Sequence, residues 1–188
     1  MSIILGSASP RRSELLALMG LTFTIAVKET QEDYPSHLST QEIAIYIAEK
    51  KAQAFIEESF DNAIITADTI VAVDNSILGK PKDELEASNM LQQLSNQAHQ
   101  VITGVTLLQH GKIYSFFDST KVFFRNLHTK EIEFYIKNYQ PFDKAGAYGI
   151  QEWIGIVGIE KIEGSYTNVM GLPTEKLYNC LKNHHLLP

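Results

Sequence analysis

Apolar and polar positions along this chain switch repeatedly between a period of two and a period near 3.6, the marks of strand and helix. Residues 2–5 are a short apolar run that stops at Gly6, which predicts a buried strand. Pro10 suits the first turn of a helix with Ser9 as its N-cap, and Leu15, Leu16 and Met19 recur at helical spacing before Gly20 ends the run. Residues 22–27 alternate and are β-branched, so a second strand is expected. Ser39 and Glu42 stand three apart, as in a capping box, and predict a helix running to about Ser59 with Ile43, Ile47 and Phe55 on its buried side. Residues 63–73, AIITADTIVAV, are the most strand-like segment; Asp74-Asn75 marks a turn, and Ile77-Leu78 returns.

Leu85, Met90, Leu91 and Leu94 predict a helix over 84–95. Residues 99–109 and 113–125 read as two long strands joined by His110-Gly111-Lys112, and a helix is expected near 129–138. Residues 141–151 form a glycine-rich loop, 153–162 read as strand, and 164–173 as a loop before a last helix from about Thr174 to Asn183. Alternating strands and helices around a central hairpin predict an α/β, mixed α+β fold with a mixed sheet. A length of 188 residues suits one domain or two closely joined lobes.

Composition narrows the function. At 44% hydrophobic and 20% charged residues, the chain is of ordinary globular type. A formal net charge of -6 argues against a nucleic-acid binder, whose affinity rests on phosphate neutralisation, but leaves room for a small anionic ligand met by a few clustered cations. No run approaches the ~20 apolar residues of a membrane span, so no membrane partner is expected. The single cysteine, Cys180, cannot form an internal disulfide and reads as packing in the last helix. The first residues carry no basic segment before the short run Ile3–Leu5, so no export signal is expected, and a reducing cytoplasm is the predicted compartment.

Four places could carry chemistry. The turn Gly6-Ser7-Ala8-Ser9 leads into a helix start and Arg11-Arg12. Free N–H groups, the positive end of a helix dipole, two hydroxyls and two forked cations would cradle a phosphate. A capped helix with two solvated arginines reads the same pattern. Asp68 interrupts a run of Ile, Val, Thr and Ala, where an unpaired carboxylate is costly and calls for a cation, metal or water; alternatively the strand ends at Ala67. Lys50, Lys51 and Lys80 are candidate anion contacts or solvated surface. The segment KAGAYGIQ at 144–151 could admit a planar base, with Gln151 reading an amide edge, or could simply pack. The pair His184-His185 near the C-terminus reads as a frayed tail.

SASPRR at 7–12, ADTIV at 67–71, LGKP at 78–81, HQVITGV at 99–105, DKAGAYGIQ at 143–151 and GSYTNVMGLP at 164–173 stand in an order that resembles the Maf family of nucleotide pyrophosphatases across nearly the whole chain. The resemblance implies the fold of the inosine-triphosphate pyrophosphatase group, an elongated mixed sheet flanked by helices with a cleft between two lobes, often as a homodimer. It implies metal-dependent hydrolysis, with Mg²⁺ or Mn²⁺, of a nucleoside triphosphate between the α- and β-phosphates. Asp68 falls on the family's catalytic acid. Glu32 falls on a loop carboxylate that helps hold metal or water, with Glu29 and Asp33 close by. Ser7, Arg11, Arg12, Lys51 and Lys80 fall on substrate-contacting positions, and Ser9 shares the first motif.

Arg11, Arg12, Thr69 and Gln151 resemble the branch that handles dTTP and UTP; the branch acting on 7-methyl-GTP carries glutamate in place of that glutamine. The chain departs from the family after Gln151, where Glu152-Trp153 replaces a small, glycine-rich continuation; Trp153 would close a base pocket or pack beneath it. Competing readings are a non-catalytic nucleotide-binding regulator of septum formation and a house-cleaning enzyme for non-standard purine nucleotides.

Overall fold

The computed structural model describes residues 1–74 and 76–187. Among the described residues seven strands form a mixed sheet: β1 (Ser2–Leu5), β2 (Phe23–Ile25), β3 (Asn62–Val73), β4 (Ser76–Leu78), β5 (Ala98–Gln109), β6 (Lys112–Phe124) and β7 (Ile159–Glu163). Their order is β2-β1-β3-β5-β6-β7, with β4 on β3. β1 runs parallel to β2 and β3, whereas β4 on β3 and β7 on β6 are antiparallel. The helices are α1 (Pro10–Leu18), α2 (Thr40–Gln53), α3 (Glu84–Leu94), α4 (Thr129–Tyr139), α5 (Trp153–Gly158), α6 (Tyr166–Met170) and α7 (Thr174–Asn183). Among the described residues no helix is long and apolar enough to cross a membrane.

The chain divides into two compact units: residues 1–69, 103–118 and 171–188 make the first, and residues 70–102 with 119–170 the second. In the first unit α2 starts on the expected capping box, Ser39 Oγ accepting from the Glu42 N–H and the Glu42 carboxylate accepting from the Ser39 N–H. The helix ends at Gln53 rather than near Ser59, and a single 3₁₀ turn at Glu58–Phe60 follows. Phe55 just past its end is buried with Ala52, Ile64 and Leu108. A Cβ on Gly104 would stand 2.3 Å from the Ala44 carbonyl, so β5 needs glycine there for α2 to lie directly against it. Leu5, Leu16, Ala44, Ala48, Ile65 and Leu107 are fully buried in this unit, each Leu or Ile contributing about 1.5–3 kcal/mol of transfer free energy.

The turn between β5 and β6 has both His110 and Gly111 at positive φ, the geometry of a two-residue hairpin loop. Of the turn predicted at Asp74-Asn75, Asp74 is left-handed at φ 46°, while Asn75 lies outside the described residues.

In the second unit α3 is capped by Asp83, whose carboxylate accepts from the Glu86 N–H. Leu91, Leu94, Ile102, Ile132, Tyr135 and Ile154 fill its interior. Two expectations fail here. The apolar, β-branched stretch 153–162 is not one strand: Trp153–Gly158 is helix α5, and only Ile159–Glu163 is extended. Glycine decides it, because a Cβ on Gly155 would meet the Ile150 carbonyl oxygen at 2.1 Å and one on Gly158 would press on Phe124 at 3.0 Å. The helical turn brings both close to their neighbours, and this packing outweighs β propensity. The segment at 164–173 is likewise not all loop; it contains α6, tied down by Asn168, whose amide donates to the Val101 carbonyl at 2.9 Å and to Thr120 Oγ1 at 3.0 Å.

Candidate functional site

The strand–turn–helix at the start of the chain places the first group of side chains. Gly6 leaves β1 with its N–H on the Ile65 carbonyl at 2.8 Å, and a Cβ there would clash with the Thr66 methyl at 2.7 Å. Glycine therefore lets the turn lie against β3. Ser9 occupies the N-cap of α1, but its hydroxyl makes no capping bond. Ser7 Oγ accepts instead, from the Ser9 N–H at 3.2 Å and from Arg12 Nη1 at 3.1 Å.

Arg12 uses each of its three nitrogens within the first unit. Besides Ser7 it donates through Nε to the Gly171 carbonyl at 2.8 Å and through Nη2 to Thr69 Oγ1 at 3.0 Å. Thr69 Oγ1 lies 3.0 Å from Thr103 Oγ1 on β5. The guanidinium thus binds together the turn after β1, the middle of β3 and the loop before α7. Burial lowers its pKa below the usual value, Asp68 opposes that effect, and weaker influences come from Arg11 and Glu32. Both arginines and both carboxylates therefore share one electrostatic neighbourhood.

Asp68 lies beside this cluster on β3, with its side chain only 14% exposed. Its Oδ1 accepts from Lys51 Nζ at 2.7 Å, and Glu32 Oε1 meets the same ammonium at 2.7 Å. Asp68 is accordingly not a turn residue, and β3 runs on to Val73. The pairing also separates the loop carboxylates: Glu32 joins Asp68 on Lys51, whereas Asp33 pairs with Lys50. Lys51 reaches inward because α2 places it in its last turn, next to the buried Ala52.

Lys80 and Gln151 belong to the second unit. Lys80 is exposed, and the preceding Gly79 carbonyl accepts from the Gly146 N–H at 3.0 Å, which ties the Lys80 loop to the glycine-rich loop. Gly146 sits at φ 71° with Val71 3.0 Å from where a Cβ would stand, so no other residue fits that bend without strain. Gln151 Oε1 is buried and has no hydrogen-bond partner among the described residues. Trp153 packs on Phe134 of α4, ring centroids 4.8 Å apart.

Beneath the loop, Tyr148 Oη lies 2.7 Å from His99 Nε2, and the His99 ring stacks on Phe124. Burial pushes the His99 pKa down to about 4 and the Tyr148 phenol well above its usual value. Thr103, Gly171, His99, Tyr135 and Glu152 all make site contacts that spacing alone did not single out. Each except Tyr135 and Glu152 lies within one of the quoted motifs, so membership of a motif was the available signal.

The Maf-like protein family profile matches residues 2–184. The chain belongs to the Maf-like family. Relatives within it include proteins named dTTP/UTP pyrophosphatase from Flavobacterium psychrophilum, 50% identical over 97% of this chain and 94% of that one, and from Cytophaga hutchinsonii, 50% identical over 96% and 83%. One from Phocaeicola vulgatus is 50% identical over 96% and 94%. Among solved structures, a HAM1 protein from Coxiella burnetii superposes with a TM-score of 0.53 at 14% identity, covering 97% of this chain and 99% of that one. The Ham1 protein of Staphylococcus aureus gives 0.52 at 14% identity over 95% and 99%. This Maf-like chain thus shares the mixed α/β Ham1 fold expected from its motifs.

Proposed function

We propose that this chain hydrolyses a nucleoside triphosphate, dTTP or UTP, to the monophosphate and pyrophosphate. The observation that carries the reading is the convergence of Asp68 and Glu32 on Lys51 beside the Arg12–Ser7–Thr69 network. An acid that is four-fifths buried or more, held by a cation and flanked by a turn rich in donors, is arranged for a polyanion and an attacking water. The names of the relatives support the same substrates.

The donor set fits a divalent cation. Two carboxylates supply hard oxygen ligands, and Mg²⁺ is commonly held by one or two carboxylates with substrate phosphates completing the shell. Among the described residues no group of three or more His, Cys, Asp or Glu forms a cage, which suits a cation shared with substrate. Asp68 and Glu32 would hold Mg²⁺ or Mn²⁺, which when bound neutralises phosphate charge and polarises the phosphoryl oxygens.

The chain's own residues do the rest. Lys51 fixes the Asp68 carboxylate through Oδ1, and Asp68 takes the proton of the water that attacks the α-phosphorus. Arg11 offsets the charge of the leaving pyrophosphate, and Ser7 and Ser9 line the turn that receives it. Arg12 holds Ser7 and Thr69 in place. Gln151 reads the base: uracil and thymine offer an N3–H donor between two carbonyls, and the buried, unpaired Gln151 Oε1 is an acceptor for it.

The test is a panel of nucleoside triphosphates with Mg²⁺ or Mn²⁺, scored for pyrophosphate against orthophosphate, with an EDTA control. Pyrophosphate release fastest with dTTP and UTP and abolished by EDTA is expected. Binding without turnover would favour a regulator, and preference for 7-methyl-GTP or non-standard purine nucleotides would refute the pyrimidine assignment.

A further inference from the structure

The structure gives the residue that follows Gln151, Glu152, a specific task. Glu152 is only 20% exposed and its carboxylate is held from two sides. Lys144 Nζ, itself on a side chain 9% exposed, meets Oε1 at 3.0 Å, and the hydroxyl of the fully buried Tyr135 donates to Oε2. The same Tyr135 oxygen accepts from the Gly149 N–H at 3.1 Å. The Glu152 N–H closes the turn onto the Gly149 carbonyl at 3.1 Å. A Cβ on Gly149 would stand 2.8 Å from the Glu152 carboxyl carbon, so glycine at 149 is what makes room for the carboxylate. The turn 149–152 is therefore clamped at both ends to one tyrosine of α4, and Gln151 lies inside the clamp with its carbonyl oxygen buried and unpaired.

We propose that Glu152 and Tyr135 are positioning residues for base selection, holding the turn so that the Gln151 amide presents its carbonyl oxygen to the N3–H of a uracil-type base. The proposal rests on Gln151 being the base reader. Its physical basis is that an amide rotates about two flexible bonds and reads a base edge only when the backbone carrying it is fixed. A displacement of about 1 Å in a recognition group costs up to roughly 10²-fold in rate. The ion pair with Lys144 adds direction, since a nearly buried ammonium keeps the carboxylate from swinging outward. Glu152 also fills the N-cap of α5, with the Ile156 N–H on its carbonyl at 3.1 Å, so the clamp continues into the following helix.

The experiment measures kcat and KM for UTP and CTP in the wild-type chain and in four variants: Gln151→Ala, Tyr135→Phe, Glu152→Gln and the double variant Gln151→Ala/Tyr135→Phe. Tyr135→Phe keeps the ring and removes the shared hydroxyl. Glu152→Gln keeps the shape and removes the charge, and carries the test if the tyrosine variant fails to fold by circular dichroism. Each is expected to lower the UTP-over-CTP preference in kcat/KM about tenfold, mainly through a raised KM for UTP. The double variant is expected to discriminate no worse than Gln151→Ala alone. Equal losses on UTP and CTP, or an additive loss in the double variant, would overturn the proposal and leave a merely structural clamp. Preference lost in Gln151→Ala but kept in both clamp variants would also overturn it, while sparing Gln151 as reader. Preference unchanged in Gln151→Ala would remove the reader itself.

Discussion

Two polar regions of this molecule are built on opposite principles. Around Arg12 and Lys51 in the first unit, cations and carboxylates are matched: three guanidinium nitrogens each have an acceptor, and one ammonium serves two acids. In the second unit the clamp is satisfied, but Gln151 Oε1 in the glycine-rich loop and His99 Nδ1 on β5 are buried without partners among the described residues. A buried group left unpaired costs about 1–3 kcal/mol, and natural sites tolerate that cost where a ligand supplies the missing partner. The first region is thus satisfied by its own groups, whereas the second holds a buried acceptor, Gln151 Oε1, without a partner among the described residues.

The strongest way to break this contrast is Asp68→Asn. The amide keeps the shape and a bond to Lys51 but cannot take a proton, so turnover with dTTP or UTP should fall about 10²–10⁴-fold with unchanged circular dichroism. Retention of more than a tenth of the activity would remove the first region from the chemistry.

The second region is tested through His99. Burial holds this ring neutral with a pKa of about 4, whereas in the unfolded chain it titrates near 6.5. Below that pH the unfolded chain binds a proton that the folded chain refuses, so the contribution is complete above about pH 6.5 and is lost as pH falls through 4. The full effect is on the order of 3 kcal/mol, of which about 2 kcal/mol is gone by pH 5. Urea unfolding at pH 7.5 and pH 5 should show that loss in the wild type and not in His99→Gln, which keeps a polar partner for Tyr148. Equal pH dependence in both proteins would mean that the ring is not held neutral.

Arg12→Lys probes whether the first region depends on geometry as well as charge. Lysine keeps the cation but cannot reach Ser7, Thr69 and the Gly171 carbonyl together. A stability loss of about 2 kcal/mol, read by thermal unfolding, should accompany a roughly tenfold higher KM for the triphosphate. Wild-type values for both would show that Arg12 acts as charge alone.

Much of this arrangement was legible in the sequence where a local rule has a local cause. Ser39 and Glu42 announced the start of α2 because a capping box is complete within four residues. Pro10 marked the start of α1, and the run around Asp68 marked β3. What spacing could not show was long-range. Lys51 and Asp68 are seventeen residues apart and meet across the packing of α2 on the sheet, where Gly104 of β5 lies directly against Ala44. The resemblance picked out Glu32 with Glu29 and Asp33 close by, and its contact with Lys51 was not readable from spacing. Trp153–Gly158 read as strand because β-branched residues dominate it, while the reason it is helix lies in Gly155 against Ile150 and Glu152 against Tyr135.

The smallest expected effect concerns backbone strain at the entrance to the second region. Gln140 ends α4 in the left-handed conformation at φ 44°, just before Pro141, with its N–H on the Ile136 carbonyl at 3.0 Å. A residue with a Cβ gives up about 1–2 kcal/mol in that conformation, which glycine does not. Glycine also loses more chain entropy on folding, which offsets part of the gain. Gln140→Gly should therefore raise stability by about 0.5–1 kcal/mol in urea titration and leave the UTP-over-CTP preference unchanged. A shift in preference would extend the region that positions Gln151 back through α4 to this helix end, and a loss of stability would show that the Gln140 side chain makes a compensating contact.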